Sequence, residues 1–453
     1  MPILPVDSGR YGSKEMRSIF EDHARLRYQL LFEASVAESQ AELKMIPAAA
    51  AEDISKAASS GKVTLERIAE LESISDHDTA ALVEALSEQL AAASKPWVHY
   101  GLTSADVVDT SMCMQLRDAF EIIEEKVKTL AEKLASRAAE FSDLPAVGRT
   151  HGQHASIVAF GLRFAVWASE MARHYERIRE ARPRVLLCKT LGVVGTGSLM
   201  GEKALEVQRL ASKSLGLYPV DAATQVIPRE RFAEAQFLLA LVGSTLDKIA
   251  VEIRNLQRTE IAEVAEPFRK GQMGSSAVPV KRNPTKSERV SSLSRLLRSL
   301  VDVSLENVPL WHERDLSNSA NERFTLPLGA ILLDEMLGLM IKVISELAVN
   351  RSRITSNIEI TKGQIYAEFV LEALVKKGVP RFEAYRDIQR VAFSAAADGT
   401  HFLEAAAKDA SISESLSRQE LETIFQPASH LAASGRIIEN AKSLVGRLTK
   451  NRN

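Results

Sequence analysis

Residues 112–134 read MCMQLRDAFEIIEEKVKTLAEKL, and their apolar positions recur in steps of three and four. That spacing places the apolar side chains on one stripe of an amphipathic α-helix. The stripe consists of Met112, Leu116, Phe120, Ile123, Val127, Leu130 and Leu134. The residues between are rich in Glu, Lys and Ala, which favour helix, and no Gly or Pro follows before Pro145. The stretch therefore predicts one long helix.

Two later stretches repeat the same spacing. Leu238–Leu256 and Val290–Leu300 carry an apolar residue at every third or fourth position. Helices of about 25–30 residues are more than twice the usual mean length, and they fit a bundle in which apolar stripes bury one another. A coiled coil is the alternative, but breaks rich in Gly, Pro and His favour a bundle with functional loops. Strand patterns are nearly absent, so the predicted fold class is all-α with a central long-helix bundle.

The breaks divide the chain into three expected parts. Residues 1–103 form an N-terminal helical domain that carries substrate-binding segments, and residues 104–356 form the central bundle. Residues 357–453 form a C-terminal helical domain, in which a fresh helical pattern starts after Gly363. The shorter helices of the first part are expected around Lys14–Ala37, Ala51–Ala58 and Asp78–Ala93.

The charge balance excludes one large class of function. The chain of 453 residues has 57 Lys and Arg against 59 Asp and Glu, a formal net charge of -2. Proteins dedicated to nucleic acids usually show a basic face in their composition, so no nucleic-acid partner is expected. A small anionic ligand remains compatible, because it needs only a few basic groups in one pocket.

The sequence gives no sign of export or of a membrane span. Its start, MPILPVDSGR, lacks a basic region followed by an apolar run. Clean apolar stretches such as Phe237–Val242 fall short of the roughly 18–20 residues that a membrane helix needs. Cys113 and Cys188 are too few for a disulfide framework and are expected to be free thiols. We therefore expect a soluble protein of the reducing cytoplasm.

The segment between two of the predicted long helices is the most informative. It runs from Gly271 to Arg289 and reads GQMGSSAVPVKRNPTKSER. Its glycines and prolines exclude regular structure, yet it holds two adjacent hydroxyls, Lys281 and Asn283, where a plain linker would be merely polar. Loops that carry such groups on a rigid scaffold are often catalytic.

This loop resembles the signature of the fumarase/aspartase superfamily, G-S-S-x-M-P-x-K-x-N-P. The matching residues are Gly274, Ser275, Ser276, Pro279, Lys281, Asn283 and Pro284. Val278 departs from the usual Met, at a position expected to pack rather than react. The resemblance implies a central bundle of long helices and a homotetramer whose active sites are each built from three subunits. It also implies elimination of fumarate or closely related chemistry.

Further segments resemble the branch of this superfamily that cleaves succinylated purine nucleotides. They span nearly the whole chain in order and are RYGSKEMR from Arg10, DHD at Asp76–Asp78, WVHYGLTSADVVDT from Trp97, GRTHGQHA from Gly148, TQVIPRER from Thr224, LWHERDLSNSANER from Leu310 and TKGQIYAEFVLEALVKKG from Thr361. The implied reaction is β-elimination of fumarate from a succinyl-amine nucleotide. The sister families argininosuccinate lyase, aspartase, fumarase and carboxymuconate cycloisomerase stay open, as does an inactive structural member.

The resemblance assigns chemical roles to both catalytic residues. Ser275 is the expected base, activated by a closed loop and by the nearby cation Lys281. His151 is the expected acid for the leaving nitrogen, with Thr150 beside it, because histidine suits proton transfer near neutral pH. The remaining residues expected to bind substrate are Arg10, Tyr11, His77, Asp78, His99, Thr103, Ser104, Gln225, Lys281, Asn283, Arg289, Arg314, Ser319 and Arg323. Asp76 stands where many relatives have Arg.

No metal or cofactor is expected. His151 and His154 are three residues apart, but no Cys or carboxylate lies nearby at metal-ligand spacing. His174 is expected on a helix surface. The segment GVVGTGSLMG from Gly192 has Met200 at the third glycine position of a dinucleotide-binding motif, so it is interpreted as a tight loop.

Overall fold

The structure, a computed structural model, describes residues 4–450 and is mostly helical. Its α-helices are α1 (Lys14–Phe20), α2 (Asp22–Glu42), α3 (Ala48–Ser59), α4 (Leu65–Ser75), α5 (Asp78–Glu88), α6 (Ser104–Glu140), α7 (Leu162–Val185), α8 (Ala204–Leu215), α9 (Glu230–Leu256), α10 (Thr285–Glu306), α11 (Ser319–Glu346), α12 (Arg351–Ile358), α13 (Ala367–Lys376), α14 (Arg381–Asp398), α15 (Phe402–Lys408), α16 (Ala410–Ser413), α17 (Arg418–Ile424) and α18 (Ala432–Lys450). Short 3₁₀ turns lie at Lys95–Trp97, Gly201–Lys203, Glu359–Thr361, Gln364–Tyr366 and Pro427–His430. The expected all-α class is confirmed.

The long helices bury the stripes that the sequence predicts. Helix α6 has 37 residues, and α9 has 27. On α6 the stripe from Leu116 to Leu134 is fully buried, while Met112 is half-buried at its N-terminal end. On α10, Val290 and Leu297 are fully buried. Burial of these apolar stripes is the main favourable contribution to folding.

Helix α11 has no separate sequence prediction because it is apolar on most sides. Its 28 residues have a mean hydropathy of 1.7 in their most apolar window, and 61% of that window is buried in the structure. By length and composition alone, this helix could cross a membrane. A helix that is apolar all round is equally typical of a buried core position, which its burial supports.

Packing groups the described chain into two compact units. The first unit combines the chain up to Lys126 with His174–Leu246 and Ser292–Gly338. The second combines Val127–Arg173 with Asp247–Ser291 and the chain from Leu339 onward. The division at residues 103 and 356 follows breaks in the sequence pattern and stays a prediction.

Six short strands lie among the described residues, where the sequence showed almost no strand signal. They are β1 (Pro145–Thr150), β2 (Gln153–Ala159), β3 (Leu187–Cys188), β4 (Tyr218–Pro219), β5 (Val264–Ala265) and β6 (Ala348–Val349). β1 and β2 form an antiparallel hairpin, β3 pairs in parallel with β4, and β5 pairs antiparallel with β6. Only the hairpin is long enough to present side chains as a distinct element.

The N-terminal helices depart from the prediction at their ends. The expected helix Lys14–Ala37 is two helices, because Glu21 is extended (φ -65°, ψ 151°) between α1 and α2. Ser13 begins α1 by accepting a hydrogen bond from the backbone N–H of Met16. Helix α5 ends at Glu88, five residues before the expected end.

A buried ion pair fixes the start of α6. Asp106 and Lys189 both have fully buried side chains and are hydrogen-bonded to each other. Asp106 also accepts from the backbone N–H groups of Thr103 (2.9 Å) and Gly192 (3.0 Å). One carboxylate thus holds both the N-terminal turn of α6 and the loop that begins at Gly192.

We expect Asp106→Asn to lower the free energy of unfolding by about 3–5 kcal/mol, because it leaves the Lys189 ammonium buried and unpaired. Urea unfolding of the purified protein measures the loss. Glu206→Gln is the matched control, since Glu206 pairs with Arg209 on the exposed surface of α8 and its loss should be unmeasurable. An Asp106→Asn variant as stable as the parent would contradict the role given to this pair.

Candidate active site

One cavity in the first unit gathers eight of the predicted site residues. It has a volume of about 570 Å³. Its walls come from the α4–α5 junction, the start of α6, the segment before α9 and the start of α11. The predicted residues that line it are His77, Asp78, Thr103, Ser104, Gln225, Arg314, Ser319 and Arg323.

Two arginines give this cavity its capacity for an anion. Arg323 donates to Asp78 Oδ2 at 2.8 Å, and Arg314 donates to Gln225 Oε1 at 3.1 Å. Ser319, the first residue of α11, lies at a helix N-terminus, where backbone N–H groups and the helix dipole favour negative charge. Guanidinium groups bind phosphate through forked, charge-assisted hydrogen bonds. The arrangement is therefore suited to a phosphate group.

The junction of α4 and α5 supplies the opposite wall. His77 caps α5, because its Nδ1 accepts from the backbone N–H of Ala80 at 3.2 Å. A neutral ring that accepts at Nδ1 carries its proton on Nε2, which makes Nε2 a donor for a ligand. Burial acts to raise the pKa of Asp78, but hydrogen bonds from Thr79 and the charge of Arg323 outweigh it, so the pKa lies below its usual value.

Carboxylates that the sequence analysis did not select also line this cavity: Glu72, Asp76, Asp109 and Asp315. Asp76 ends α4 in the left-handed conformation, with φ at 51°. Asp is one of the few residues besides Gly that adopts this conformation readily. The departure at this position therefore places an acidic group at the cavity wall without disturbing the turn that presents His77.

Three predicted binding residues of the first unit lie outside the lining of this cavity. Arg10 and Tyr11 precede α1. His99 follows a 3₁₀ turn and is itself in the left-handed conformation, and its Nδ1 lies 2.6 Å from Oε1 of the buried Glu33.

The prediction that His174 is a surface residue is wrong. His174 is buried, and its Nε2 lies 2.8 Å from Thr245 Oγ1.

In the second unit, the signature loop holds Ser275 in a defined position. Ser275 Oγ accepts from the backbone N–H groups of Val278 at 3.1 Å and Ala277 at 3.3 Å. Donors directed at a hydroxyl oxygen stabilise its deprotonated form. Gly274 permits this turn, because a Cβ there would lie 2.0 Å from the carbonyl oxygen of Lys281. The loop thus presents the hydroxyl with two donors already in place.

A second cavity, of about 990 Å³, lies beside this loop. Lys281 and Asn283 line it together with three arginines, Arg254, Arg258 and Arg282. Asn283 Nδ2 donates to the carbonyl of Gly274 at 3.0 Å and so closes the loop on itself. Val278 lines the same cavity and is 46% exposed, so the expectation that it packs is wrong. Arg289 lies on an exposed face of α10.

The hairpin presents Thr150 and His151 at its tip, where both are exposed. His151 and Gly152 form a two-residue turn with φ of 53° and 75°, as a type I′ hairpin turn requires. Below the tip, Arg149 pairs at 2.6 Å with the fully buried Glu263. Asn357 donates to the same Glu263 carboxylate at 2.9 Å. A buried charge therefore fixes the hairpin close to its tip.

His154 belongs to the same hairpin. On sequence alone it is considered only as a possible metal ligand. Its Nδ1 is buried and has no hydrogen-bond partner among the described residues. Burial, followed by the positive charge of Arg149, lowers the pKa of His154. The described residues contain no group of three or more His, Cys, Asp or Glu side chains that could hold a metal ion.

Comparison with known proteins identifies the family of this chain. The profile of a family described as Lyase matches residues 9–296, and that of the adenylosuccinate lyase C-terminus matches residues 363–441. The chain is 41% identical to the adenylosuccinate lyase of Methanocaldococcus jannaschii, over 97% of this chain and 95% of that protein. It is 42% identical to the adenylosuccinate lyase of Pyrococcus abyssi, over 99% of both chains.

Solved structures show the same fold. The 3-carboxy-cis,cis-muconate lactonizing enzyme of Pseudomonas putida aligns with a TM-score of 0.89 at 29% identity, over 98% of this chain and 100% of that one. A fumarate lyase of Mesorhizobium sp. BNC1 aligns with a TM-score of 0.88 at 29% identity, over 95% and 98%. The fold and the signature loop thus define a lyase of the fumarase/aspartase superfamily. The higher identity over nearly the whole chain places this protein in the adenylosuccinate lyase family.

The contact between His99 and Glu33 gives a pH-dependent prediction. Burial acts to lower the pKa of His99, but the charge and hydrogen bond of Glu33 and the charge of Asp106 outweigh it and raise the pKa. The charged imidazole therefore stabilises the fold fully below the ordinary histidine pKa of about 6.5. This contribution is lost as the pH rises through the raised pKa of the folded state.

We expect the free energy of unfolding to differ most between the parent and His99→Gln below about pH 6.5, and the difference to shrink at higher pH. Denaturant unfolding across this range measures the difference. Glu33→Gln is the control, because removing the carboxylate should flatten the same pH dependence. A difference that grows with pH would contradict the assigned direction.

Proposed function

We propose that this chain cleaves fumarate from adenylosuccinate, giving AMP, and from the succinylated aminoimidazole carboxamide ribotide, giving AICAR, in purine biosynthesis. The observation that carries the proposal is the cavity of the first unit, with Arg314, Arg323 and Ser319 around space for a nucleotide. The named function of relatives at 41–42% identity supports it.

Both substrates would use one site. They share the succinyl group, which meets the reacting residues, and the ribose phosphate, which the arginines anchor. Only the base differs, as a whole purine in one substrate and an opened imidazole in the other. Binding energy from the remote phosphate also helps to orient the reacting carbon, so loss of Arg323 should lower turnover as well as affinity for both substrates.

The chemistry begins at the signature loop. Ser275, after its own proton has passed to solvent, takes a proton as an alkoxide from the carbon next to a carboxylate, and the electrons of that C–H bond form the double bond of fumarate. Backbone N–H groups of Ala277 and Val278 stabilise the serine oxyanion and so raise the fraction of Ser275 in the deprotonated form that can accept a proton. Lys281 and Asn283 bind the carboxylate on which negative charge develops.

The reaction ends when the C–N bond breaks and the leaving nitrogen takes a proton. His151 supplies that proton, with Thr150 beside it at the tip of the hairpin. The two-residue turn and the buried Arg149–Glu263 pair restrict where the imidazole can lie. A rigid support of this kind favours proton transfer, because a general acid must stay within hydrogen-bond reach of the reacting atom.

We expect the parent protein to release fumarate from both substrates, followed by near-ultraviolet absorbance. Ser275→Ala should lower both turnovers by about 100-fold or more while AMP still binds, because the base is lost and the phosphate anchors remain. Ser276→Ala, the adjacent hydroxyl, controls for loop packing. Release of fumarate from neither substrate would overturn the proposed function. Turnover by Ser275→Ala within tenfold of the parent would overturn the role of this serine.

We further propose a cytoplasmic homotetramer with active sites shared between subunits. Leu296 and Val303 lie seven residues apart on one face of α10 and are 44% and 36% exposed. Phe324, on α11, is 62% exposed. Exposed apolar side chains on bundle helices favour burial against further copies in a closed assembly. Cys113 and Cys188 are buried free thiols, which suits a reducing compartment.

Shared sites predict complementation between two inactive variants. If His151 and Ser275 of one site come from different chains, equal mixing of His151→Gln with Ser275→Ala should restore about one quarter of the parent sites. Fumarate release after subunit exchange measures the recovery, and each variant remixed with itself is the control. No recovery despite demonstrated exchange, or a fully active monomer, would rule out shared sites.

A further inference from the structure

A buried arginine lies beneath the nucleotide cavity of the first unit. Arg229 is 3% exposed and precedes α9 within the segment TQVIPRER. Its NH1 donates to Asp109 Oδ1 at 3.2 Å and to Glu322 Oε2 at 2.9 Å. Its NH2 donates to Asp109 Oδ2, and its Nε donates to the carbonyl of Ile227 at 2.7 Å. One guanidinium therefore joins three separate stretches of the chain.

These stretches are three walls of the cavity. Asp109 follows Thr103 and Ser104 on α6, and it also accepts from the backbone N–H of Ile227 at 2.8 Å. Ile227 is two residues from Gln225, which lines the cavity. Glu322 is in the first turn of α11, next to Arg323. Every hydrogen bond of Arg229 thus ends on an element that carries a residue expected to bind the nucleotide.

A small cavity of about 50 Å³ adjoins this cluster, and Asp109 lines both this cavity and the larger pocket. Arg229, Asp109 and Glu322 line it from below, while Arg314 and Arg323 belong to both cavities. Because Arg229 is buried beneath the wall, it acts on a bound nucleotide through its neighbours. Two carboxylates face one arginine here, so the cluster is net negative beside the two cationic phosphate anchors.

We propose that Arg229 is a positioning residue that sets the spacing of the nucleotide-binding walls, an inference that rests on the proposed function. Arg229 fixes α11 relative to α6, and α11 carries Ser319 and Arg323. Lysine can keep the charge, but it has one nitrogen where arginine has a planar fork of donors. Arg229→Lys therefore releases at least one wall. A displacement of about 1 Å in such a wall can lower catalytic efficiency on the order of 100-fold.

The expected result separates nucleotide anchoring from chemistry. Arg229→Lys should raise KM for adenylosuccinate and Kd for AMP by about tenfold or more, with kcat falling by a smaller factor than KM rises, because the reacting loop lies elsewhere in the chain. Steady-state kinetics and calorimetric titration with AMP measure both quantities. Arg182→Lys is the matched control, since Arg182 lies 2.8 Å from Glu124, is largely buried and lines neither cavity.

A second variant keeps the test decisive if Arg229→Lys fails to fold. Glu322→Gln preserves side-chain size and should raise the same KM and Kd, because it weakens the α11 contact alone. The inference would be overturned if both folded variants kept the KM and Kd of the parent. It would also be overturned if kcat fell while KM stayed at the parent value. A parent protein that neither cleaves adenylosuccinate nor binds AMP would instead overturn the proposed function. If the parent is active and both variants bind AMP as tightly as the parent does, the result counts only against the role of Arg229.

Discussion

Buried carboxylates paired with cations hold three segments of the chain that lie next to the helical bundle. The pairs are Asp106–Lys189, Asp109–Arg229 and Glu263–Arg149. Removing ions from water is costly, so a pair of this kind contributes little net stability but makes loss of either partner expensive. Its effect is therefore geometric. The loop at Gly192, the walls of the cavity in the first unit and the part of the hairpin close to its tip each depend on one such carboxylate.

The long helices make this arrangement necessary. Apolar stripes fix the middle of each helix, but they are not directional and do not set the position of a polar helix end. Helix ends also leave backbone N–H groups without partners inside the helix. Asp106 satisfies the N–H of Thr103, and Asp109 satisfies that of Ile227. The same carboxylates that bind the cations thus also hold the residue that precedes α6 and the segment that leads into α9.

The sequence carried some of these features and lacked others for physical reasons. Apolar periodicity predicted α6 and α9 because a stripe is a local property of the chain. Helix α11 showed no stripe, since it is apolar on most sides, and the hairpin was missed because its strands are short. The resemblance of several segments to a known family selected eight residues that line one cavity. The sequence did not single out Arg229 within TQVIPRER, because its partners Asp109 and Glu322 lie 120 and 93 residues away along the chain.

The division between anchoring and chemistry explains how one fold serves different substrates. A muconate lactonizing enzyme shares this fold at 29% identity, so the fold alone does not select the substrate. Ser275 and Lys281 lie on one loop, and their proposed role is to act on a carboxylate-bearing carbon, which is chemistry that many substrates can share. Arg314 precedes α11 and Arg323 lies in its first turns, and both border the cavity of the first unit, where we propose that a phosphate distinguishes a nucleotide. Substrate choice therefore depends on how the start of α11 is held against α6, and that spacing rests on Arg229.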